Sequence, residues 1–157
     1  MLMAIIDTPD YLPFPESDPD NYKPGSSMWA VMDPVSPDGD YVKDLVVGFE
    51  RLASGEGIPL HIHTTEELLI IDEGEAEARL GDERRVVGPG TVIFVPAGTP
   101  HGFRNLSGGV VRLHAVVGRH IVGTQMLDRL PRPGTEGQPP QPARIDDFRK
   151  FISEPRT

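Results

Sequence analysis

The sequence predicts an all-β domain, on three observations. Apolar runs of four to eight residues recur from Pro59 to Val117, each set off by Gly, Pro or Asp, which is the spacing of short strands. No helical periodicity lies between them. Proline and glycine, 17 of each, punctuate the chain too densely for long helices and suit tight connections instead. At 157 residues the chain has the length of one domain with a real core.

The elements follow in order. Thr8 to Pro24 carries several prolines and acids and reads as part of an extended N-terminal arm, residues 1–27. Met28 to Met32, closed by Asp33-Pro34, is the first expected strand. Asp38-Gly39 is a turn signal before a second, about Tyr41 to Leu52. Further strands are expected at Pro59 to His63, Leu68 to Ile71, Glu75 to Leu80, Arg85 to Val87, Thr91 to Val95, His101 to Asn105 and Val110 to Val117. Glu75 to Leu80 alternates cleanly, as a strand with one wet face does. The expected barrel spans residues 28–130. Pro131 to Pro142 holds five prolines and two glycines, an arm rather than a strand. Ile145, Phe148 and Ile152 then fall at helical spacing. Asp146 and Asp147 precede Arg149 and Lys150, the charge order a helix dipole favours, and this predicts a short C-terminal helix. Residues 131–157 would belong to the same domain.

Composition narrows the function. The formal net charge is −9 with no Lys/Arg-rich run, which argues against nucleic acid or an anionic membrane as partner. No stretch approaches the roughly 18 apolar residues of a membrane span. Acids crowd the N-terminal region and no basic residue precedes Lys23, unlike a signal peptide; a cytoplasmic protein is expected. There are no cysteines, hence no disulfide, thiolate metal site or cysteine nucleophile.

His61 and His63, one residue apart in an apparent strand, point to the same face. Glu67 starts the next strand, otherwise apolar through Leu68-Leu69-Ile70-Ile71, and His101 starts a later one after Pro96-Ala97-Gly98-Thr99-Pro100. Three imidazoles and a carboxylate form a plausible first coordination shell. That donor set suits one divalent Fe, Mn, Co, Ni, Cu or Zn ion better than Mg or Ca.

These residues carry a family resemblance. Gly55, His61, His63, Glu67 and Gly74, separated by five, one, three and six residues, resemble the first motif of the cupin superfamily. Gly90, Pro96-Ala97-Gly98, His101 and Asn105 resemble the second. Together the motifs cover about a third of the chain. The resemblance implies a small single-domain cupin: a double-stranded β-helix, or jelly-roll, barrel with His61, His63, Glu67 and His101 as metal ligands. Gly74, Gly90 and Gly98 would shape tight turns. Four protein ligands on an octahedral ion leave two open positions, typical of catalytic sites.

Strand parity places Leu69, Ile71 and Phe103 beside the ligands as apolar pocket walls. On the last long strand Arg112 and His114 share one face, and Val111, Leu113, Ala115 and Val117 the other. If the polar face looks inward, His114 is a candidate acid or base and Arg112 an anion binder; if outward, both are solvated. His120 is expected to be exposed. Trp29 is either a pocket wall or interface packing.

The favoured function is metal-dependent oxidoreductase chemistry of the dioxygenase kind on a small organic molecule, with Glu67 as ligand and proton acceptor. Alternatives are a sugar isomerase or epimerase, for which only Arg104, Arg112 and Thr64-Thr65 offer themselves as binders, a decarboxylase or lyase, and a non-catalytic binding protein. The arms and the apolar outer strand positions predict a homodimer.

Overall fold

The computed structural model describes residues 11–31 and 44–148. Its twelve strands form two antiparallel six-stranded sheets stacked as a jelly roll. The first has β1 (Leu12–Pro13), β2 (Ser27–Val31), β3 (Val46–Leu52), β10 (Val111–Val117), β5 (Glu67–Glu73) and β8 (Val92–Val95), in that spatial order. The second runs β12 (Arg144–Asp147), β11 (Ile121–Met126), β4 (Gly57–His63), β9 (His101–Arg104), β6 (Ala76–Leu80) and β7 (Glu83–Val87). Among the described residues no helix is long and apolar enough to cross a membrane.

Alternation builds the core. In β10, Val111, Leu113 and Val117 are buried, as are Leu69 and Ile71 in β5. They meet Leu52, Ala76, Ala78, Val87, Val95 and Phe103 between the sheets. Across β3, β10 and β5 the inward residues form layers. Leu113 lies opposite Ile71 and Glu50, Ala115 opposite Leu69 and Gly48, and Val117 opposite Glu67 and Val46. Gly48 and Ala115 leave the middle layer thin.

The loop ends are tied by satisfied polar groups. Asn105, fully buried, donates to the carbonyls of Leu52 and Gly109 and accepts from Ser107. The expected turn glycines Gly74, Gly90 and Gly98 have φ of 78°, 86° and 76°, a left-handed region that side chains disfavour.

The C-terminal expectation is corrected. Residues Arg144–Asp147 form β12, paired antiparallel to β11, with Ile145 73% exposed. Pairing along the open edge of β11 outweighs three apolar residues at helical spacing. Arg149, Lys150 and Ile152 lie outside the described residues, as does much of the expected Tyr41 start of β3.

The described parts of both arms, from residue 11 and up to residue 148, fold onto the barrel. Tyr22 N donates to Leu130 O, and Leu130 N to Asp20 O. Arg129 is the centre of the clasp. Its Nε donates to Asp20 Oδ1 (2.6 Å), and its terminal nitrogens donate to the carbonyls of Pro19, Thr135 and Gln138 and to Thr135 Oγ1. The second carboxylate oxygen of Asp20 accepts from Gln141 N. The two side chains are 8% and 1% exposed, so removing one strands a buried charge. Arg129→Met is expected to lower unfolding free energy in urea by about 3–5 kcal/mol; a loss below about 1 kcal/mol would show the clasp to be ornamental.

Candidate metal centre

The ligand geometry begins with β4 and β9. Their register slips between Ile58 and His61, and this bulge brings His61 directly opposite His101. The strands run unusually close: a Cβ on Gly102 would lie 2.7 Å from Ile58 O. Glu67 enters from the facing sheet at the start of β5, and His63 lies two residues beyond His61.

The four side chains converge, with one ligand atom from each all within 4.8 Å of one another. Nε2 of His61 lies 3.1 Å from Nε2 of His63, and Nε2 of His101 lies 2.9 Å from Glu67 Oε2. The opposite ring nitrogens are spoken for. His61 Nδ1 donates to Pro59 O (2.7 Å) and His101 Nδ1 to Thr99 O (2.9 Å). A carbonyl only accepts, so in these two rings the proton sits on Nδ1 and the Nε2 lone pair is left facing the cluster. His63 Nδ1 is 3.1 Å from Thr124 Oγ1.

Burial, reinforced by His101 and His63, holds the His61 pKa well below its ordinary 6.5. Burial also lowers that of His63, opposed by Glu67. Neutral imidazoles are the ligand form. These side chains are suited to hold a metal ion, and the donor set fits the transition metals expected from the sequence.

The cluster opens on a cavity of about 190 Å³, walled mostly by apolar side chains that include Val46, Leu69, Phe103, Val117, Met126 and Phe148. Leu69 and Phe103 are where parity put them. Ile71 is not: it is buried one layer deeper, opposite Leu113, in the closed core. His114 also departs from expectation. It lies on the outer face of β10, 2.8 Å from Asp72 Oδ2 and stacked on Phe49, which in turn packs on Trp29. Its neighbours Ala115 and Val117 face the cavity, so the catalytic assignment of His114 is withdrawn. Arg112 faces outward as well, beside Glu73. His120 is half-buried rather than exposed.

Sequence reasoning missed the polar residues that line this cavity, chiefly Lys23, Glu50, Thr124, Arg144 and Asp146. For Thr124 a signal existed: Val122, Thr124 and Met126 alternate into the interior of β11. The two cations come from segments without periodicity or at a strand edge.

Comparison with known proteins matches this architecture. The model of a family described as the cupin domain matches residues 48–117. The chain carries a cupin domain. Over 77 residues the protein is 35% identical to the quercetin 2,3-dioxygenase of Bacillus subtilis (strain 168). That stretch covers 41% of this chain but only 23% of the relative's length. In fold, this cupin resembles the polyketide cyclase RemF from Streptomyces resistomycificus. The match has a TM-score of 0.61 at 20% identity and covers 99% of this chain and 96% of that one. It also resembles a sugar phosphate isomerase of the cupin superfamily from Silicibacter pomeroyi, with a TM-score of 0.57 at 22% identity over 68% of each chain.

Replacing His101 with Ala is expected to leave a folded barrel without metal. Elemental analysis of protein purified without chelators should give about one ion per wild-type chain and a small fraction of that in the variant. Full occupancy in the variant would refute the four-ligand assignment.

Proposed function

We propose that this cupin is a metal-dependent oxidoreductase of the dioxygenase kind, acting on a small, largely apolar organic molecule. One observation carries the reading: a three-His, one-Glu cluster stands at the wall of a mainly apolar cavity. A divalent transition metal held by His61, His63, Glu67 and His101 would supply Lewis acidity and, unless it is zinc, electron-transfer chemistry toward dioxygen. The protein's part is positioning. Val46, Leu69, Phe103, Val117 and Phe148 exclude water and orient an apolar body. Glu67, whose Oε2 points at His101 Nε2 (2.9 Å) as a ligand would, is the carboxylate we assign as acceptor of a substrate proton. The dioxygenase relative supports this assignment in the motif region.

The full-length likeness to a polyketide cyclase favours a second reading, a metal-assisted rearrangement without dioxygen. A sugar phosphate fits less well. Arg104 and Arg112 are away from the cavity, Arg144 is held by Asp146 (3.0 Å) and Asp18 (3.7 Å), and Lys23 faces the Glu50 carboxylate (3.5 Å), leaving little for a dianion. Oxygen-electrode screening of iron-, manganese- and nickel-loaded protein against phenolic, diketone and thiol compounds, beside anaerobic assays on the same compounds and on sugars, separates these. Oxygen uptake coupled to substrate loss is expected; anaerobic turnover with no uptake for any compound would overturn the oxidoreductase.

We further propose a homodimer joined through the outer face of the first sheet. Leu68 lies opposite Phe94 and Ile70 opposite Val92, and Leu68, Phe94 and Val92 are 39%, 53% and 60% exposed. A continuous apolar sheet face is costly in water. Light scattering should return about twice the 17.2 kDa of one chain; a monomer mass at micromolar concentration would sink the dimer.

A further inference from the structure

Besides the His/Glu cluster, the cavity is lined by a charge pair whose geometry is incomplete. Lys23 comes from the N-terminal arm and Glu50 from β3, and both line the cavity. The Lys23 side chain is 1% exposed and that of Glu50 18%. Lys23 Nζ lies 3.5 Å from Glu50 Oε2 and 3.8 Å from the centre of the Phe14 ring. At that separation the two attract but do not form a proper hydrogen bond. Glu50 Oε2 is shielded from solvent and has no hydrogen-bond partner among the described residues. An ammonium has three donors, and among the described residues its nearest neighbours are the Glu50 carboxylate and the Phe14 ring, with Asp18 and Glu56 attracting it more weakly. A buried pair left like this forgoes most of the compensation that makes burial tolerable.

A hydroxyl group repairs both defects at once. Its oxygen accepts from the ammonium and its proton is donated to the carboxylate, so a neutral molecule completes the pair without bringing in a charge. A carboxylate or phosphate does not fit this role, because it has no proton for Glu50 and adds repulsion. Size sets the rest. A cavity of about 150 Å³ in another protein holds benzene, so about 190 Å³ suits a single substituted ring rather than a fused polycycle. The space is provided by Gly48, where an added Cβ would meet nothing within 4 Å, and by Ala115 opposite it.

We propose that the cavity binds a single-ring phenol or ring enol whose hydroxyl bridges Lys23 Nζ and Glu50 Oε2 while the ring rests on the apolar wall. This rests on the reading of the cavity as the substrate site and specifies its substrate class. Burial lowers the pKa of Lys23 and the Glu50 carboxylate opposes that shift.

The test compares phenol with toluene, which has the same shape and no hydroxyl, by calorimetry on the full-length chain. Each titration is run on zinc-loaded and on chelator-treated protein. Wild-type protein should prefer phenol by at least about tenfold, since a site built to hydrogen-bond a hydroxyl rejects the analogue without one. The double variant Lys23→Met, Glu50→Leu removes both charges together and so avoids stranding either one. It should bind toluene within about threefold of wild type and lose the phenol preference. Gly48→Val should weaken both probes, locating them in this cavity. No preference in wild type, a preference that survives the double variant, undiminished binding of both probes in Gly48→Val, or a preference that exists only with zinc would overturn the inference. Failure of the metal-enzyme reading registers separately, as failure of wild-type protein to take up zinc.

Discussion

The close pairing of β4 with β9 is the constraint on which the centre depends. At Gly57 a Cβ would fall 2.1 Å from Phe103 O, and at Gly102 2.7 Å from Ile58 O. Neither position tolerates a side chain unless the strands separate. The bulge between Ile58 and His61 then fixes which residues face each other. Ring centroids of His61 and His101 come to 4.2 Å, a distance two charged imidazolium groups would not accept. Geometry and protonation therefore have one cause. Packing the rings together and out of water holds His61 neutral, and the carbonyls of Pro59 and Thr99 choose which nitrogen keeps its proton.

Strands alone make an open-ended container. Much of the polar lining comes from segments outside the barrel, with Lys23 and Asp18 from the N-terminal arm and Arg144 and Asp146 from β12. Arg129 joins the N-terminal arm to the proline-rich one, donating to a carboxylate, three backbone carbonyls and a hydroxyl. The planar guanidinium satisfies five acceptors with one ordered side chain, which a lysine cannot do. Ser26 and Glu56 add a second tie, Ser26 Oγ donating to Glu56 Oε2 at 2.5 Å, so the arm is fixed on both sides of Lys23.

The fold and the convergence of His61, His63, Glu67 and His101 were legible in the sequence because they are local patterns. Strands repeat with period two, and these four residues sit at fixed distances from turn glycines. Period two gives a residue's face but not its depth, which is why Leu69 reaches the cavity and Ile71, on the same face, is sealed beneath it. On β10 the alternation separated Arg112 and His114 from Leu113 and Ala115 correctly; what it left open was which set the barrel encloses. Burial of Val111, Leu113 and Val117 decides that in favour of the apolar set. The C-terminal segment reads differently in isolation than beside β11, whose free edge supplies hydrogen bonds that a short helix would have to make for itself. Lys23 gave no local signal at all, since a proline-rich arm has no periodicity from which to read its contacts.

Only one layer of side chains separates a packed core from a binding cavity here. Below, Leu113, Ile71 and Leu52 close the space between the sheets; above, Val46 and Val117 narrow it again. Between them Gly48 and Ala115 supply almost no volume. An apolar wall around that gap does more than admit an apolar molecule. Away from water, the few polar groups that face it act at short range with little screening. The chain's net charge of −9 is then a poor guide to what enters. The groups that matter are the His/Glu cluster and the Lys23–Glu50 pair, which line the same cavity. Neither asks for a highly charged partner. The cluster presents nitrogen and oxygen lone pairs, and the pair is already neutral in sum. A small molecule with one hydroxyl and an apolar ring meets both conditions at the least desolvation cost, which joins the shape of the cavity to the chemistry proposed for it.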